Sequence, residues 1–384
     1  MALSSPGIAC TICFLTFAES EESDPLIHGG CACRGSSSNG YIHFKCLVEQ
    51  AKAIDTNRQG GNGWQCCLTC HQEYNADIMM KLARTHLNIL QNAGYNKDSH
   101  NGAMLIEYVN AMNDFGLRCI SAKQYLKAKQ YFVHTRKIVA KQYRHRRAHV
   151  GLPSIAERRA YENAALTYAN NLANALFGLK DFEEAEKVAV DALQRYKTSG
   201  VPVQLQRVIA IEMLLGNVYL ADERYDQALN VLSELLKKCR KHCGDQHSTT
   251  ACCVSLVSVC YLKMKKYEQA LELALEFVQI TTQVFGKRHA ETKVAEDFLK
   301  RLKKKMQDDT NMSRNLIKSI GIMCNMPGRS VCPMSDSDSD SDSDSGDDND
   351  EVQNIWILPA VTFVGAFAAT IAVFAIASML LHKK

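Results

Sequence analysis

Along residues 74–90, apolar side chains recur at Met79, Leu82, Ala83, Leu87 and Leu90, at intervals of three, one, four and three. That spacing keeps them on one face of a helix. Further on, the pattern itself repeats. The pentads QYLKA, DFEEA, RYDQA and KYEQA end at Ala128, Ala185, Ala228 and Ala270, each with an aromatic three residues before the alanine. Twelve residues before each alanine stands a small residue, Gly116, Ala173, Gly216 or Ser258, and an apolar residue precedes each of these: Phe115, Leu172, Leu215 or Val257. The last two intervals are 43 and 42 residues, while the first is 57. Two helices folded as a hairpin need small residues where their backbones approach and large ones beside the gap. The pattern therefore predicts stacked helix pairs over residues 105–310. GDQHSTT at 244–250 recurs as GKRHAET at 286–292 and marks the turn between repeats.

Two further patterns lie beyond the repeats. From Ile355 to Leu381 no charged residue occurs in 27 positions, which as a helix spans about 40 Å against a hydrocarbon core of about 30 Å. Pro359 stands near its start and Trp356 at an interfacial position. Only His382, Lys383 and Lys384 follow, so the expectation is a single-pass tail anchor in contact with membrane lipid through 355–381, with the N-terminal bulk in the cytosol. The endoplasmic reticulum and the mitochondrial outer membrane both fit. Before it, Ser335 to Glu351 alternates serine with acid. Like charges repel and nothing apolar is available to bury, so a solvated, disordered tether is expected. Its six serines suit an acid-directed kinase, and phosphate would add charge.

The repeated residues resemble tetratricopeptide repeats, and the 42-residue period with its G-x-x-H-x-x-T turn is similar to the variant of kinesin light chains. The resemblance implies an α-solenoid whose concave surface binds peptides of a substrate or adaptor. Single alanines and aromatics of the pattern are read as core, so no groove residue is singled out.

Charge is uneven. The net +4 conceals nine of the 41 acidic residues within 335–351, leaving 45 basic against 32 acidic elsewhere. No arginine-rich arm or aromatic-basic interleaving accompanies this excess, so nucleic acid is not an expected partner. The first 20 residues lack a basic n-region. Of 16 cysteines, eight fall within residues 10–70 and eight are scattered through helical or linker sequence. This split predicts a metal site followed by reduced thiols in the cytosol.

The clustered ligands run Cys10-x2-Cys13, Cys31-x-Cys33, His43-x2-Cys46 and Cys67-x2-Cys70, separated by 17, nine and 20 residues. Eight soft or borderline donors in four pairs satisfy two tetrahedral zinc ions with no open position, so the sites are structural. The segment has few large apolar residues, and zinc is expected to supply its folding free energy. Cys66 competes with Cys67, but only Cys67 keeps the spacing to Cys70.

Four cysteines, one histidine and three cysteines, with Cys-x-Cys second, resemble the RING-CH finger of the membrane-associated MARCH ubiquitin ligases. The stretch CRGSSSNGYIHFKCL is similar to that family's segment between the second and third ligand pairs. A PHD finger shares the ligand order but prefers a longer second pair and a shorter gap before the histidine. The resemblance implies a cross-brace in which Cys10, Cys13, His43 and Cys46 hold the first zinc and Cys31, Cys33, Cys67 and Cys70 the second. It also implies contact with a ubiquitin-conjugating enzyme through Ile12, read as exposed between the first two ligands, and Leu68. The sequence departs from the family in its longer gap before His43 and in Gln50, where a tryptophan is common.

The expected chain is therefore mainly α. It comprises a two-zinc finger at 1–75, a connecting helix at 76–104, repeats at 105–310, a linker at 311–351 and an anchor at 352–384. The expected function is a membrane-anchored RING-type ubiquitin ligase with no covalent ubiquitin intermediate on this chain. The alternative is a non-catalytic membrane scaffold. Apart from the zinc ligands, no Cys/His or Ser/His arrangement at motif spacing and no phosphate-binding glycine loop points to another enzyme.

Overall fold

A computed structural model of the chain describes residues 10, 12–15, 26–28, 41–57, 63–67, 70–95, 102–149 and 152–324. Cys31, Cys33, Leu68, the acidic tract and the apolar stretch 355–381 lie outside the described residues. Among the described residues no helix is long and apolar enough to cross a membrane. The chain is mainly helical and divides into two units, residues 1–179 and 180–384.

The first unit begins with an antiparallel pair, β1 (Leu26–His28) and β2 (Tyr41–His43), in which Leu26 faces His43. Helix α1 (Phe44–Asn57) follows directly. Then come α2 (Ala76–Asn92), α3 (Gly102–Ser121), α4 (Tyr125–His149) and α5 (Ile155–Gly178). The apolar face expected on α2 is present: Leu82, Ala83, Leu87 and Leu90 are buried, joined by Ile78. Met79 is half-buried instead, its sulfur accepting an N–H from Arg118 at 3.4 Å. Asn75 caps the helix, accepting from the Ile78 N–H and donating to the His28 carbonyl, which ties α2 to β1.

The second unit comprises α6 (Phe182–Ser199), α7 (Leu205–Ala221), α8 (Tyr225–Cys243), α9 (Ser248–Lys263), α10 (Tyr267–Phe285) and α11 (Ala290–Cys324). Helix α11 continues 14 residues into the stretch expected to be linker from residue 311. Helix α9 is buried nearly all round, which is why its sequence, STTACCVSLVSVCYLK, shows no polar face.

The repeat pattern now has a geometry. The aromatics Tyr125, Phe182, Tyr225 and Tyr267 are each the first residue of a helix, and the alanines three residues on are fully buried. Two residues before each aromatic, Lys123, Lys180, Glu223 and Lys265 adopt left-handed backbone with φ of 58–60°. In three of these turns the next N–H returns to a carbonyl near the end of the preceding helix: Gln124 to Cys119, Arg224 to Tyr219 and Lys266 to Tyr261. This closes the helix in the Schellman manner, here without glycine.

Gly116 lies against the Phe132 ring and Gly216 against Leu232, so closely that a Cβ on either would overlap its neighbour. Where the small residue is Ser258, the position corresponding to Phe132 and Leu232 is Ala274, and both Ser258 and Ala274 are fully buried. The Ser258 hydroxyl donates to the Ala270 carbonyl at 2.6 Å.

The G-x-x-H-x-x-T turns are equally explicit. Gly244 and Gly286 have φ of 91° and 88°, which favours glycine. Thr250 and Thr292 donate to the carbonyls of those glycines at 2.7 and 2.8 Å. His247 and His289 use Nδ1 to accept the N–H of Thr249 and Glu291, a histidine standing where serine or aspartate usually caps a helix.

Candidate metal centre

Cys10, Cys13, His43 and Cys46 converge, their donor atoms all within 4.8 Å of one another. Each is placed by local backbone. Cys10 opens a turn in which its N–H donates to the Leu15 carbonyl at 2.9 Å and its carbonyl accepts the Phe14 N–H at 3.0 Å. His43 ends β2 and Cys46 lies in the first turn of α1, so the strand-to-helix junction sets the second pair.

The His43 Nδ1 is 3.3 Å from the Cys13 sulfur and 4.0 Å from that of Cys46. Zinc–sulfur bonds of about 2.3 Å and zinc–nitrogen bonds of about 2.0 Å would hold tetrahedral donors about 3.5–3.8 Å apart. The four residues fit such an ion, with Nδ1 as the histidine donor. The backbone N–H groups of Ile12 and His43 each approach the Cys10 sulfur at 3.4 Å. Burial pushes the Cys10 thiol up, but the N–H groups of Cys13, His43 and Ile12 more than offset this and hold it below its ordinary value. Burial, with the Cys13 and Cys10 sulfurs alongside, pushes Cys46 up to about 12. Three sulfurs in one place cannot all ionise unaided, and a divalent cation removes that repulsion.

Of the second expected set, Cys67 and Cys70 are described. Cys67 opens a turn like that of Cys10: its N–H donates to the Gln72 carbonyl, and its carbonyl accepts the His71 N–H, both at 2.8 Å. The turn closes a short hairpin in which Cys66 pairs with Glu73 and the Tyr74 N–H donates to the Gln65 carbonyl. Neighbouring residues of an extended chain point to opposite faces, so Cys66 and Cys67 diverge. Cys67 joins the buried core of this segment, and burial, with Glu73 alongside, pushes the Cys66 thiol up.

That core exceeds the few apolar residues read from the sequence. Ile42, Leu47, Val48, Trp64 and Tyr74 cluster with Cys10 and Cys67 and continue into Ile78 and Leu82 of α2. Trp64 stacks on His86 of α2 with centroids 4.2 Å apart. Gln65 donates to Asp114 of α3 at 2.7 Å, and Arg118 pairs with the same carboxylate at 3.3 Å. The N-terminal segment thus shares its core with the first helices.

Ile12, expected to be exposed, is half-buried against this core. The outward-facing residues are its neighbours, Phe14 at 75% and Leu15 at 46% exposure. Sequence reasoning missed both. The available signal was their place directly after Cys13, where the turn forces Phe14 into left-handed backbone with φ of 62°.

Outside the cluster, Cys119, Cys239, Cys252, Cys253 and Cys260 are buried within the described helices. Cys239 and Cys253 lie with sulfurs 3.5 Å apart.

Residues 165–199 and 207–283 each match the tetratricopeptide repeat, so the middle of the chain is built from these repeats. No curated protein matches the chain. Among solved structures it is similar to BtubC (BKLC) from P. vanneervenii, at 12% identity over 71% of this chain and 100% of that one, with a TM-score of 0.47. It is also similar to a putative kinesin light chain with nearly identical TPR-like repeats from Podosopora anserina. That likeness is 15% identity over 63% and 96% of the two chains, with a TM-score of 0.40.

Proposed function

We propose that this chain is a RING-type ubiquitin ligase carried on a tetratricopeptide scaffold. The observation that carries the proposal is the Cys10–Cys13–His43–Cys46 cluster with a pair of exposed apolar residues on its first turn. Zinc is the metal that suits three thiolates and an imidazole in a closed site, and its role is to hold the turn in place. Cys67 and Cys70, with Cys31 and Cys33, form the second site in this reading. Phe14 and Leu15, with Ile12 behind them, form the surface that receives a ubiquitin-charged conjugating enzyme, joined by Leu68. Catalysis is by positioning: the finger holds the thioester-linked ubiquitin in reach of a substrate lysine and forms no bond to it. The repeats bind a protein substrate or adaptor, and residues 355–381 confine the activity to one membrane.

A binding experiment tests the docking surface. Immobilised full-length chain should retain a conjugating enzyme from a purified panel, and Phe14→Ala should abolish retention while the metal content stays unchanged. Retention unaffected by Phe14→Ala and Leu15→Ala together would refute the assigned surface. The non-catalytic scaffold is the second reading, favoured by the repeat matches themselves. It predicts no retention of any conjugating enzyme at all.

A further inference from the structure

Helices α4 and α5 have 25 and 24 residues, against 19 for α8 and 17 for α7 in the second unit. This is where the 57-residue interval places its extra length. Between residues 136 and 159 the hairpin carries eight arginines and lysines and a single acid, Glu157. That acid is engaged in a capping box, its carboxylate accepting the Ser154 N–H at 2.9 Å while the Ser154 hydroxyl accepts the Glu157 N–H at 3.2 Å. Arg144, Arg147, Arg158 and Arg159 are exposed. Tyr143 and Tyr161 stack across the two helices with centroids 3.7 Å apart, bracing the extension. At its tip stand two bare aliphatic side chains, Leu152 at 87% and Ile155 at 66% exposure.

We infer that the α4–α5 tip is a contact site for an anionic lipid surface. Arginines flanking a tip draw it to negatively charged headgroups, and aliphatic residues between them enter the acyl boundary. Charge alone would suit nucleic acid or an acidic peptide equally. The exposed Leu152 and Ile155 decide the matter, because a phosphate backbone offers aliphatic side chains nothing to enter. The inference is independent of ligase activity and of the stretch 355–381.

The test uses the full chain carrying Leu152→Trp, with the emission of the parent chain subtracted. Vesicles of phosphatidylcholine and phosphatidylserine should shift the new tryptophan to the blue, and pure phosphatidylcholine should not. Adding Arg147→Glu and Arg159→Glu should weaken the response at least about tenfold with the helical circular dichroism retained. High salt should weaken it also. No shift, an equal shift with neutral vesicles, or a shift indifferent to charge reversal would overturn the inference. A response to an oligonucleotide without one to phosphatidylserine would assign the surface to nucleic acid and overturn it likewise.

Discussion

Cys10 and Cys67 open turns of the same construction, although little else relates the segments that contain them. In each, the residue four positions on adopts left-handed backbone, Phe14 with φ of 62° and His71 with φ of 57°, and the following carbonyl returns to the first cysteine. A bulky side chain costs about 1–2 kcal/mol in that conformation, so the turn is held by something stronger than local preference. In the proposed reading two sulfurs bound to one ion would supply such a constraint, and the likeness of the turns extends that proposal from the first cluster to Cys67 and Cys70.

The purified chain should accordingly contain two zinc ions, and Cys13→Ser or Cys70→Ser should each reduce this to one. Elemental mass spectrometry on full-length protein counts them. A single ion in the parent chain, unaffected by Cys70→Ser, would remove the second site.

Removing the metal should unfold the finger, because a structural zinc contributes about 10 kcal/mol or more of folding free energy. Trp64 reports it: stacked on His86 and buried, it should shift to longer emission wavelength on chelation and return when zinc is restored.

The shared core makes a second demand. Arg118 and Asp114 pair at 3.3 Å with side chains only 9% and 17% exposed, and burial pushes the Asp114 carboxyl up despite the guanidinium. Arg118→Met should cost about 3 kcal/mol by stranding that carboxylate. Arg118→Met with Asp114→Asn should recover most of the loss, as denaturant unfolding will show.

Gly216 gives a substitution whose sign depends on its neighbour. A Cβ there overlaps Leu232, and overpacking costs about 1–3 kcal/mol, more than the ~1 kcal/mol that alanine gains over glycine in a helix. Gly216→Ala should therefore destabilise the parent chain and stabilise a Leu232→Ala background by about 1 kcal/mol. A double-mutant cycle measures both.

Glu291 is 7% exposed, with Oε2 buried and unpaired, and burial pushes its carboxyl up to about 7. The folded state therefore holds a proton that the unfolded state has released above about pH 4.5, so stability falls as pH rises toward 7. Glu291→Gln should remove this slope, leaving stability near pH 5 little changed and raising it at pH 8 by about 1 kcal/mol. An unchanged slope would show that the carboxyl titrates normally.

The parts most legible in the sequence were those where a residue type has one physical use. Gly116 and Gly216 stood out because only a missing side chain admits Phe132 or Leu232. The glycine, histidine and threonine of the inter-repeat turn each make a separate hydrogen bond or torsion. The cysteine and histidine spacings brought four ligands together. What the sequence concealed depends on which way a side chain faces after the chain turns. Ile12 and Phe14 are both apolar, yet the turn packs the first against the core and exposes the second. Trp64 and Tyr74 belong to a core that is completed by Ile78 and Leu82 of the helix that follows them. The left-handed residues at Lys123, Lys180, Glu223 and Lys265 were hidden because none is glycine.

Ligase activity is read directly from discharge of ubiquitin from a charged conjugating enzyme to free lysine, with the zinc-loaded full-length chain added in catalytic amount. Discharge should be faster with at least one enzyme of a panel, and the gain should be lost in Cys13→Ser and in Phe14→Ala while Phe14→Ala retains its zinc. Discharge no faster than without the chain, across the panel and with zinc bound, would contradict ligase activity and leave a tetratricopeptide scaffold with a structural finger.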